Sequence, residues 1–81
     1  MSKDKYKCFF VQYLRNREYS GYLFAETRGK AMYECLLALK EVGFYRAEFL
    51  DVKARREKDL DRYFIEPHKV FDYNQVLSGG K

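Results

Sequence analysis

Apolar and polar positions alternate from Lys5 to Leu14, the period of a β-strand. One face of that run carries Tyr6, Cys8, Phe10, Gln12 and Leu14, and the other carries Lys7, Phe9, Val11 and Tyr13. Both faces are substantially apolar. That predicts a strand covered on both sides, or one with an exposed binding face. A charged turn, Arg15 to Glu18 with Asn16 inside it, leads to a second alternating run from Tyr19 to Glu26. There Tyr19, Leu23 and Ala25 share one face, and Tyr22 and Phe24 share the other. Gly21 marks a bulge or a point of close approach. Two such runs joined by a short polar link predict an antiparallel hairpin.

The period then changes. Met32, Cys35, Leu36, Leu39 and Val42 form the apolar stripe of a helix facing a core, widened by Tyr33 and Leu37. Thr27 is suited to cap the helix, because its hydroxyl can accept from a free amide of the first turn. Gly43 supplies the stop. The predicted helix covers residues 28–42. A third strand is expected over Arg46–Ala54, with Leu50, Val52 and Ala54 on one face and Ala47 and Phe49 on the other. Arg55–Arg62 is charged almost throughout and reads as a solvated loop or exposed helical turn. Tyr63, Phe64, Ile65, Val70, Phe71 and Tyr73 are apolar anchors in a polar tail, placed to lie across the open face of the sheet.

The expected fold is therefore α+β: a small antiparallel sheet with one helix packed on one face, in the order ββαβ, and an extended C-terminal tail. Residues 1–77 are expected to form a single domain, and residues 78–81 a disordered tail. The chain has 81 residues, enough for one marginal core. Its 8 Tyr and 7 Phe strengthen that core, since each buried ring removes about 150–250 Å² from water.

The net charge is +4, and residues 1–25 hold most of it, with five bases against two acids. This mild lean permits an anionic partner but is not the dense stripe of a dedicated nucleic-acid binder. No run is long and apolar enough to cross a membrane, and no signal-peptide pattern opens the chain. Cys8 and Cys35 lie far apart in apolar contexts, so reduced thiols and a cytoplasmic setting are expected.

The segment Ala25-Glu26-Thr27-Arg28-Gly29-Lys30-Ala31-Met32-Tyr33, continued by Val52-Lys53-Ala54-Arg55-Arg56, resembles small phage and prophage proteins of Gram-positive bacteria. Those proteins pair an N-terminal hairpin with a helix opened by a Thr-Arg-Gly-Lys-Ala-like segment. The likeness covers roughly residues 5–56 and carries no catalytic residues. It implies a cytoplasmic role in a host cell, engaging host machinery such as a CRISPR-type defence effector.

Two places could dock a partner. At the helix start, Arg28 and Lys30 sit where the macrodipole is positive, which suits a bound anion. The alternative is neutralisation by Glu26 and Glu34, with Lys30 and Glu34 at i,i+4 spacing. On the hairpin, a helix covering Tyr6, Cys8 and Phe10 would leave Phe9, Val11, Tyr13, Tyr22 and Phe24 opposite, beside Lys7 and Arg15. Rings among bases suit unpaired nucleotides, and equally a protein interface. The alternative is that the tail covers these rings as a second core layer.

Catalytic chemistry has little to work with. His68 is the single histidine, and no CxxC or HxxxH spacing or Gly-rich phosphate loop is present. No enzyme activity, metal or cofactor is expected. The leading expectation is a binding protein that modulates a host factor through protein–protein contacts. The alternative is a nucleic-acid-binding module, and a homodimer is compatible with either. The residues expected to bind are Lys7, Phe9, Tyr13, Arg15, Tyr22, Phe24, Arg28 and Lys30.

Overall fold

The computed structural model describes residues 5–79. Strand β1 (Lys7–Tyr13) pairs antiparallel with β2 (Ser20–Ala25). The turn between them is held locally: the Asn16 side chain accepts from the Glu18 amide at 3.2 Å, and the Tyr13 amide donates to the Tyr19 carbonyl at 2.9 Å. Helix α1 (Arg28–Glu41) follows, and the Thr27 hydroxyl accepts from the Lys30 amide at 3.1 Å. At its other end Gly43 adopts φ +114°. The Gly43 amide then reaches the Lys40 carbonyl at 3.3 Å and the Phe44 amide reaches the Leu39 carbonyl at 3.0 Å. This double bond pattern closes a helix only when a residue in the left-handed region follows it, which glycine adopts without strain.

The third strand starts later than the alternation predicts. Residues 49–51 form a 3-10 turn, and β3 runs Val52–Arg56 instead of Arg46–Ala54. The cause is local polar competition. Asp51 accepts from the Glu48 amide at 3.0 Å, its own amide donates to the Glu48 carbonyl at 2.9 Å, and Arg15 pairs with its carboxylate at 3.1 Å. Of the loop and the exposed helical turn expected for the charged run, the structure has the turn, a second 3-10 segment over Lys58–Tyr63, although Leu60 within it is buried. The tail is not wholly extended either. It adds a short strand β4 (Val70–Phe71) to the outer edge of β2, and then helix α2 (Tyr73–Leu77), which Asp72 caps. Ser78 and Gly79 close α2 by hydrogen bonds, and the rest of the expected disordered tail lies outside the described residues. The result is a four-stranded antiparallel sheet in the order β3-β1-β2-β4.

Helix α1 lies on the opposite sheet face from the one expected. It buries Ala31, Cys35 and Leu39 against Phe9, Val11, Tyr13, Leu23, Ala25, Val52 and Ala54. The register explains the inversion: Phe9 stands opposite Leu23 and Phe10 opposite Tyr22, so Tyr22 and Phe24 share a face with Cys8 and Phe10. The helix stripe is also narrower than predicted. Tyr33, Leu37 and Val42 are exposed. The first two lie about 200° round the helix from Cys35, and Val42 falls at the cap, where the chain leaves the sheet.

The second sheet face carries its own core. Cys8 and Phe24 are enclosed by Leu60, Phe71 and Val76, with Tyr6, Tyr63, Phe64 and Ile65 packed around them. Phe64 stacks on Tyr6 at 5.2 Å between ring centroids and meets Phe24 edge-on at 5.4 Å. The sheet is thus a middle layer between α1 and the C-terminal segment. That segment reaches its place only because Gly21 has no side chain. A Cβ there would lie 2.5 Å from a Val70 methyl and 2.9 Å from the Phe71 carbonyl oxygen.

Candidate docking face

The C-terminal layer covers only part of the second face. Beyond Cys8 and Phe24, the same face continues through Phe10, Gln12 and Tyr22, all half-buried. Cross-strand pairing sets Arg55 beside Phe10 and Lys53 beside Gln12 on β3, and Ser20 beside Gln12 on β2. The side chains form a row across three strands and onto α2. The Arg55 guanidinium lies 5.1 Å from the Phe10 ring centroid, Phe10 lies 5.3 Å from Tyr22, and Tyr22 lies 5.8 Å from Tyr73. Arg55 is also held by Glu57 at 2.9 Å, which fixes its plane over the ring. Lys53 is exposed and has no ion-pair partner among the described residues. Burial, with Glu57 adding to it, pushes the Tyr22 hydroxyl above its ordinary value, so it remains a hydrogen-bond donor at neutral pH.

The residues singled out from the sequence do not converge. Phe9, Tyr13 and Phe24 are core residues, 3%, 5% and 0% exposed, and cannot touch a partner. Lys7 is half-buried at the start of β1, on the side of Phe9. Arg15 is committed to Asp51. Arg28 is exposed in the first turn of α1, in a different layer from Tyr22. Lys30 turns back to Glu26 at 2.7 Å rather than forward to Glu34, and Glu34 pairs instead with His68. Lys30 is therefore already paired from within the chain, while Arg28 has no ion-pair partner among the described residues. Of the eight, only Tyr22 belongs to the ring row.

Phe10, Gln12, Lys53 and Tyr73 were missed, and Arg55 was read as part of the charged run 55–62, where it could extend a basic edge, rather than as part of β3. Phe10 and Tyr22 become neighbours through the hairpin register, and Lys53 and Arg55 join them through pairing of β3 with β1. The visible signal was Lys53 and Arg55 as the polar positions alternating with Val52 and Ala54.

Two other features bear on chemistry. A cleft of about 330 Å³ opens between α1, the end of β2 and the segment after Phe64, lined by Tyr6, Glu26, Lys30, Tyr33, Glu34 and His68. Its ionic groups satisfy one another, as the Lys30–Glu26 and His68–Glu34 pairs show. The thiols are no better placed. Burial, with Asp61 and Glu57 adding to it, pushes Cys8 up to about 12, and burial alone pushes Cys35 up to about 11. Both are protonated at neutral pH and therefore poor nucleophiles. Among the described residues no cluster of His, Cys, Asp and Glu could hold a metal ion, and no helix is long and apolar enough to cross a membrane. Comparison of the chain with protein-family models, with curated proteins and with solved structures found no match.

Proposed function

We propose that this chain is a small binding protein that acts through protein–protein contacts, using the uncovered part of the second sheet face. The observation that carries the reading is the row Arg55, Phe10, Tyr22 and Tyr73, with the guanidinium 5.1 Å from the first ring centroid and the ring centroids 5.3 and 5.8 Å apart. Such a row is a rigid set of aromatic and guanidinium surfaces. Tyr and Arg are the residues that most often anchor interfaces, because they bring large contact area and fixed hydrogen-bond donors at small entropic cost. The resemblance of residues 25–33 to small phage proteins supports a host factor, such as a CRISPR-type defence effector, as the partner.

The test places a photo-crosslinking phenylalanine derivative at Tyr73, which is 51% exposed, and at Leu37 on the outer side of α1 as a control. The reading expects one adduct from the position-73 protein, competed away by excess unlabelled protein but not by an Arg55→Ala competitor. Adducts of equal yield from both positions, or competition unaffected by Arg55→Ala, would overturn it.

A second reading rests on the same rings. Bases stack on aromatic faces, and Arg55 and Lys53 could meet the phosphates of a single strand. Fluorescence anisotropy with a labelled oligonucleotide separates the two. A nucleic-acid role requires affinity that falls steeply with salt, and a salt slope reduced by about one in Lys53→Ala.

A further inference from the structure

Helix α1 packs chiefly over β3 and β1. Toward β2 and β4 it leaves a hollow of about 230 Å³ between its C-terminal half and the sheet. Val11, Cys35 and Leu39 line it from within and are buried. Ala38 and Val42 line it from the helix, and Val70 from β4. Cys35 and Ala38 stand on one side of the helix, three positions apart, and are too short to fill the gap. Tyr19 closes the hairpin end, with its ring held edge-on against Phe44 at 4.8 Å. The walls are therefore in place before any ligand arrives, as in most small-molecule sites.

The charge of this hollow runs against that of the molecule. The chain is +4 overall, yet Glu18 is the one charged residue that lines the hollow, beside Ser20. The Glu18 amide donates to the Asn16 side chain. Its carboxylate has no ion-pair partner among the described residues. An anionic ligand would meet this carboxylate unfavourably, whereas a cation would be paired by it. The Tyr19 ring adds a face that attracts cations. The size is also informative. A dry cavity of about 150 Å³ accepts benzene, so the larger volume here takes a single ring with a short arm.

We propose that this hollow is a binding site for a small free amine with an apolar body, of the arylalkylamine class. The ring packs among Val11, Leu39 and Val70, and the ammonium meets Glu18 at the exposed rim. The site lies on the opposite face of the sheet from the Phe10–Tyr22 row, so it stands or falls separately from the docking reading above.

The probes are phenethylamine, its carboxylate counterpart phenylpropanoate, and butylamine, which keeps the head without the ring. Methyl and ring signals of the full chain are followed by NMR. Phenethylamine is expected to shift the methyls of Val11, Leu39, Val42 and Val70 saturably, with a Kd on the order of 1 mM for so small a ligand. The ring signals of Phe10 and Tyr73 should stay in place. Phenylpropanoate should bind about tenfold more weakly, and butylamine should give no saturable shift. Glu18→Gln, at an exposed position, should weaken phenethylamine about threefold and bring the two aromatic probes close to equal affinity. Ala38→Leu should fill the hollow and remove binding, and Glu18→Gln carries the test should that variant not fold. Shifts that rise linearly without saturation, equal binding of amine and carboxylate by the unaltered chain, or undiminished binding in a folded Ala38→Leu protein would each overturn the site.

Discussion

Gly21 and Phe24 lie on the same strand and serve opposite ends of the design. Phe24 is wholly buried and fills the second core. Gly21 is present for what it lacks, since Val70 and the Phe71 carbonyl occupy the space of its side chain. The Val70 methyl can rotate, but the carbonyl is backbone and must shift with β4. Gly21→Ala is expected to cost about 1–3 kcal/mol, the usual range for overpacking. Urea denaturation measures that loss, and faster amide exchange at Val70 and Phe71 than at Val11 would show that β4 gives way first. Asp61 shows a different economy of placement. β3 pairs with β1 only from Phe9 onward, yet the Cys8 amide is satisfied, because the Asp61 carboxylate accepts from it at 2.7 Å. Arg56 holds the same carboxylate with two bonds of 2.6 and 2.5 Å. One carboxylate thus pins the second 3-10 segment to the sheet.

Helix α1 is amphipathic in a narrower sense than its composition suggests. Its buried side is Ala31, Cys35 and Leu39, flanked by the partly buried Met32 and Leu36. Small residues at 31 and 35 let the helix approach the sheet closely. Leu37 faces away, 40% exposed. Leu39→Ala is expected to cost about 2–5 kcal/mol through the cavity it leaves, and Leu37→Glu no more than about 0.5 kcal/mol. Thermal or chemical denaturation of the two variants checks both. A large loss in Leu37→Glu would mean that the outer side of α1 is covered in solution. The C-terminal elements behave as one covering layer. The 3-10 segment contributes Leu60, β4 contributes Phe71 and α2 contributes Val76, all to the cluster around Cys8 and Phe24. None of these short elements would persist alone, and their stability comes from that shared burial.

For the whole molecule, the titrating groups set a pH window. Partial burial pulls the Asp61 carboxyl up, but the bonds from Arg56 and the Cys8 amide outweigh it and hold it below its ordinary value. The Glu48 amide and Arg15 hold Asp51 low, and Lys30 and Lys5 do the same for Glu26. Such groups bind protons more weakly when folded. Their stabilisation is complete above the unfolded carboxylate range of about pH 4 and is lost as pH falls through the lowered native values. The thiols act in the other direction. Cys8 and Cys35 are raised from 9.0 to about 12 and about 11, so the folded chain keeps protons that the unfolded chain releases. Stability is therefore expected to hold between about pH 5 and 8, and to fall both in acid and above pH 9, the ordinary thiol value. Urea midpoints across that range, repeated with Cys35→Ala, measure the effect. The alkaline decline should become shallower in the variant, and an unchanged alkaline slope would contradict the thiol account.

The amino-acid sequence by itself determined the α+β class, the hairpin, the position of α1 and its caps at Thr27 and Gly43. All of these follow from neighbours within a few positions: alternation, the 3.6-residue stripe, a hydroxyl before a helix and a glycine after it. Only the tertiary structure decided which apolar face of β1 meets the helix, because alternation is symmetric and the choice waits on register with β2. It also decided that Phe9, Tyr13 and Phe24 are enclosed while Phe10 and Tyr22 remain accessible. Helix α1 encloses Phe9 and Tyr13, and Phe24 is enclosed while Phe10 and Tyr22 are not because of how far a C-terminal segment some forty residues away in the chain reaches across the sheet. Coverage of a surface is a property of contacts between distant segments, and no local pattern carries it.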